Sequence, residues 1–107
     1  MQWRQGDVLI ESIPEDELKG KEANSNLLVR GEGRYHGHYA TGNVTVLSDG
    51  SEIFLRVHSK AQIEHLHTQT LLFTGEHAPI DLPKGTYRII RQREYNPYLK
   101  AIELIQD

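Results

Sequence analysis

The sequence predicts an all-β fold, a small single domain over residues 1–107 built as a barrel or jelly-roll-like sandwich of about eight short strands. Three observations point there. Short β-branched and apolar runs recur along the chain, separated by Gly, Pro, Asn and Asp. Asp49-Gly50 stands between two such runs, a strong hairpin signal because glycine tolerates the positive φ of tight turns. No segment keeps a helical apolar period over three turns, and no internal repeat is evident.

Residues 7–13 begin the series with Val8, Leu9, Ile10 and Ile13, and Pro14 stops the run. Residues 15–21 have the makings of one helical turn, but Gly20 and the polar run to Asn26 favour a loop. Residues 27–30 read as a strand ending at Gly31. Residues 44–47 and 53–57 flank the Asp-Gly turn, and in the second arm Ile53, Leu55 and Val57 share the inward face. Residues 61–66 and 69–74 form another pair of runs. Residues 80–85, with Pro83-Lys84-Gly85, read as a tight turn. Residues 86–93 read as a long strand before Asn96-Pro97, and 101–105 as a last one.

Composition narrows the class. A chain of 107 residues has the size of one core. With 37% hydrophobic and 25% charged residues it is globular in character. Its longest apolar runs, such as Leu71-Leu72-Phe73, fall far short of the roughly 20 residues that span a bilayer. The start Met1-Gln2-Trp3-Arg4 does not read as a signal peptide, so no membrane association and a cytoplasmic location are expected. The absence of cysteine removes disulfides, thiolate metal sites and a cysteine nucleophile together. A net charge of −3 argues against a protein that coats nucleic acid through global basicity.

Six histidines in so short a chain are the unusual feature. In an extended His36-Gly37-His38 both rings leave the same face, where they can converge on one ion. His77, at a strand end before Pro79, is the expected third ligand. Three imidazoles and water suit zinc, iron, nickel or copper, so a divalent transition metal is the expected cofactor class. His65-Leu66-His67 repeats the spacing and is the second-ranked candidate ligand pair; it shares its face with Ile63, so the alternative is that those rings border the core. Glu32 and Glu76 are the candidate catalytic acids or bases.

The order His36-x-His38, a β region, then Pro83-Lys84-Gly85 resembles the cupins, which implies a small jelly roll with a metal between its sheets. Two cupin positions differ: residues 39–43 contain no glutamate, and Arg88 stands where a histidine follows the glycine. A longer resemblance is to uncharacterised small bacterial and phage proteins. It runs through Gly31-Glu32, His36, His38 and the segment from Glu76 to Tyr95, and it implies the same site residues without an activity.

A second function class comes from the C-terminal stretch. Tyr87, Arg91, Arg93 and Tyr95 alternate onto one strand face, a pattern suited to phosphates and bases or to a protein partner. The sequence therefore predicts a small β domain with a histidine metal site, acting as a metal-dependent enzyme or accessory protein. The alternatives are a nucleic-acid or protein-binding module using that face, and a structural subunit that forms a homo-oligomer.

Overall fold

The computed structural model describes residues 1–30, 35–75 and 77–91. Among them seven strands form one antiparallel sheet: β1 (Gln2–Gln5), β2 (Val8–Ser12), β3 (Lys21–Glu22), β4 (Leu27–Arg30), β5 (His36–Asp49), β6 (Glu52–His67) and β7 (Ile80–Arg91). The strand order is β1-β2-β7-β6-β5-β3, with β4 also paired to β5. The all-β expectation holds, and the sheet is open where closure into a barrel was one expectation. A 3₁₀ turn at Glu15–Glu17 follows Pro14, the only departure from extended and turn structure in that stretch.

The strands are fewer and longer than the sequence suggests, because residues that look like breaks are bulges. Gly42 and the stretch before Lys60 mark register shifts in β5–β6 and β6–β7. Gly42 has φ +100°, and a Cβ there would lie 2.8 Å from the Lys60 carbonyl oxygen, so only glycine lets the two strands approach at the bend. Residues 80–85, expected as a turn, are the first half of β7, with Leu82 opposite Ala61 and Pro83 opposite Lys60. The proline is tolerated because it sits beside the register shift, where the ladder is already interrupted.

The predicted hairpin forms as expected. Gly50, at φ +62°, and Ser51 connect Asp49 to Glu52, with Val44 opposite Val57 and Val46 opposite Leu55. Leu55 and Val57 join Val8, Ile10, Ala40, Val46, Ala61, Ile63, Leu82, Tyr87 and Ile89 in one buried cluster. The bends in β5 and β6 thus turn both halves of each strand toward the same core. Residues 69–74, expected as a strand, are a turn followed by a single bridge from Phe73 to Leu66. Residues 101–105 lie outside the described residues.

One element was not anticipated. Gln2–Gln5 pairs with β2 through the two-residue turn Gly6-Asp7, and β2 in turn pairs with β7. This N-terminal hairpin reaches the histidines.

Candidate metal centre

Alternation along β5 puts His36, His38 and Ala40 on one face, and along β6 it puts Ile63, His65 and His67 on the same face. The register places His36 opposite His67 and His38 opposite His65. The backbone groups of the β6 histidines are used on the other side: His67 N–H donates to the Leu72 carbonyl, and the Thr74 N–H donates to the His65 carbonyl. Both cross-strand pairs are therefore of the non-hydrogen-bonded kind, in which facing side chains approach most closely. The ring centroids are 4.8 Å apart for His36 and His67 and 4.9 Å for His38 and His65.

His77 arrives from the segment before β7 and completes a cluster of five of the six histidines. Its ring lies 4.9 Å from that of His65 and 6.1 Å from that of His38. His65 also meets His36, at 5.3 Å. Gly6 makes room for this packing, since a Cβ there would stand 2.9 Å from His77 Nε2. His38 and His65 are 1% and 2% exposed, while His36, His67 and His77 are half-buried. Tyr35, Leu71, Leu72 and Phe73 are exposed beside the ladder end occupied by His36 and His67. Leu71 takes φ 58° there, an unusual conformation for a leucine.

Buried Gln5 fixes the chemistry of His38. Its Nε2 donates to the carbonyls of Ile63 and Ala78, each at 2.8 Å, so its Oε1 is the atom facing His38 Nδ1 at 2.8 Å. That oxygen only accepts, so Nδ1 carries the proton. Burial first, and then the neighbouring His65, push the His38 pKa down to about 4, so the ring is neutral near pH 7. A neutral ring protonated on Nδ1 has its lone pair on Nε2, the tautomer needed for a metal ligand backed by an outer hydrogen-bond acceptor. Thr74 Oγ1 lies 2.6 Å from His65 Nδ1 and holds that ring in place.

The His38 Nε2 lone pair faces Asp7, with Oδ1 at 3.8 Å. With His38 neutral this is not an ion pair. The other carboxylate oxygen, Oδ2, is buried without a hydrogen-bond partner and stands 3.6 Å from Arg91 Nε. Two donors sharing one ion through bonds of about 2.1 Å stand roughly 3.4 Å apart in tetrahedral geometry, close to what separates His38 from Asp7. Among the described residues no group of three or more His, Asp or Glu side chains is preset in metal-holding geometry.

The expected ligands His36, His38 and His77 thus lie in one cluster, but each packs its ring against His65 or His67. Residues two apart on a strand are separated by roughly 7 Å, whereas closely paired cross-strand positions have Cβ atoms about 4.5–5.5 Å apart. Sequence reasoning ranked His65 second as a ligand and missed two residues at the cluster, Gln5 and Asp7. A signal for the last two existed: Gly6-Asp7 between strand-like residues is a hairpin turn pattern.

Of the expected partner-binding face, Tyr87 turns inward. Tyr87 shares its face with Ile89 and Arg91, as expected, but that face is the core. Tyr87 is 2% exposed, its hydroxyl donates to the Pro83 carbonyl at 2.6 Å, and its ring meets Trp3 edge-on. It is a packing residue and presents no stacking surface. Glu32, Glu76, Arg93 and Tyr95 lie outside the described residues.

No helix among the described residues is long and apolar enough to cross a membrane. No curated protein and no solved structure matches the chain. A family model covering residues 4–92, and so the whole histidine cluster with Gln5 and Asp7, does match: the chain belongs to the family described as Domain of unknown function (DUF8820).

Proposed function

We propose that this domain binds a divalent transition metal at His38, His65 and His77, with Asp7 as the oxygen donor and His36 beside them. The observation that carries the reading is the His38–Asp7 gap. The lone pair of a neutral imidazole faces Asp7 Oδ1 across 3.8 Å, while Oδ2 of the same carboxylate stands beside Arg91, and a cation or a proton between Nε2 and Oδ1 would satisfy both. Gln5 and Thr74 hold two rings in place from behind. His77, whose ring lies 4.9 Å from that of His65 and 6.1 Å from that of His38, is the candidate third nitrogen donor. Imidazole and carboxylate donors suit zinc, iron, nickel or copper. An ion held there would polarise a bound oxygen or activate water, which is the chemistry a metal-dependent enzyme would use.

The test uses the full chain without a histidine tag, stripped with chelator and titrated with Zn²⁺, Ni²⁺, Cu²⁺ and Fe²⁺. Metal content, thermal unfolding and histidine ring resonances are followed. An ion at 100 times its Kd should add about 2.7 kcal/mol of stability, and most of that gain should vanish in His38→Asn and His77→Asn. Four ions that change neither the unfolding temperature nor the ring resonances would defeat the reading.

A further inference from the structure

From the two cross-strand pairs we infer that the array holds two ions, with His36 and His67 forming a second, more exchangeable transition-metal site. This extends the metal-binding reading, yet it stands on its own pair of ligands. His36 and His67 are direct partners in the ladder, and the hydrogen bonding of His67 toward Leu72 makes theirs a closely approaching pair like His38 and His65. Their centroid separation, 4.8 Å, matches the 4.9 Å of the inner pair. The same local geometry is therefore presented twice.

The two copies differ in their surroundings. The inner pair is buried and has His77, Asp7 and Gln5 around it. The outer pair is half-buried at the end of the ladder, next to the Thr68–Tyr35 backbone contact that closes it. Among the described residues these two imidazoles are the facing pair here, and a site with two protein ligands is weaker and faster to exchange than one with four. Pairs two residues apart along the strands place the ions roughly 7 Å from one another. That exceeds the roughly 3.5–4 Å of centres whose two ions clamp one oxygen. The outer ion is thus a separate binding event, and His36 contacts both His67 and His65 between the two positions.

The experiment is a Zn²⁺ titration of the full chain by calorimetry and native mass spectrometry, with folding of each variant checked by circular dichroism. The unmodified protein should take up two equivalents, the second at least about tenfold weaker. His36→Asn with His67→Asn should remove one equivalent and leave the tight one. His38→Asn with His77→Asn should keep one equivalent, which His67→Asn then abolishes, so the outer site is scored even if the inner reading fails. His58→Asn, which alters the exposed sixth histidine, should change nothing. Uptake of a single equivalent by the unmodified protein overturns the inference, and so does a second equivalent that survives loss of both His36 and His67.

Discussion

Acidifying the metal-free protein should destabilise it through His38. His38 has an ordinary pKa near 6.5 when unfolded and about 4 when folded, because burial and the neighbouring His65, His77 and Arg91 oppose its charge more than Asp7 favours it. Between those values the unfolded chain holds a proton that the native state lacks. Stability therefore falls as pH drops from 6.5 toward 4 and is retained above 6.5. The window from 6.5 to about 4, at about 1.4 kcal/mol per pH unit, caps the loss at about 3.5 kcal/mol. Urea unfolding of chelated protein at a series of pH values measures the slope, and His38→Asn should flatten it, whatever that variant does to the absolute stability. The His38 ring resonances should stay fixed down to pH 5. A His38 that titrates near 6.5, or a slope unchanged in His38→Asn, would refute the reasoning.

Other perturbations address the frame around the site. Leu55→Ala empties a fully buried position and should cost about 2–5 kcal/mol by denaturant unfolding. Gly6→Ala puts a methyl at φ +61° and within 2.9 Å of His77 Nε2, so it should cost on the order of 1–3 kcal/mol and shift the His77 resonances. Gln5→Leu removes the acceptor of the His38 Nδ1 proton. The nitrogen-15 shifts of the metal-free ring should then report a mixture of tautomers, in place of one.

The strand face of each histidine was legible because it follows from the period of two alone. His36 and His38 share a face in any extended conformation, as do His65 and His67. Their pairing was not legible, because it depends on the register of β5 against β6. That register is set by the Gly50-Ser51 turn and then shifted at Gly42 and Lys60. Those bulges also disguised three long strands as shorter ones, since Gly42, Ser59 and Pro83-Gly85 carry the residue types of loops. Tyr87 failed for a related reason: alternation identifies which residues share a face, and only packing tells which face is inside. Gln5 and Asp7 are distant in sequence from every histidine they meet, so local pattern could not join them.

The N-terminal hairpin has a kinetic consequence. Its strand β2 docks on β7 with Val8 opposite Arg91, closing a loop that contains nearly the whole described chain. The β5–β6 hairpin closes through a two-residue turn and brings His36, His38, His65 and His67 together with no help from β2. Local hairpins form in about 1–10 μs, while contacts of large sequence separation must first overcome the entropy of closing a long loop. Four histidines therefore meet early in folding, and Gln5 and Asp7 come to them late. An ion present while the chain folds would first encounter a loose four-imidazole ladder. It would gain its carboxylate, and its fixed His38 tautomer, only when the two ends of the sheet join.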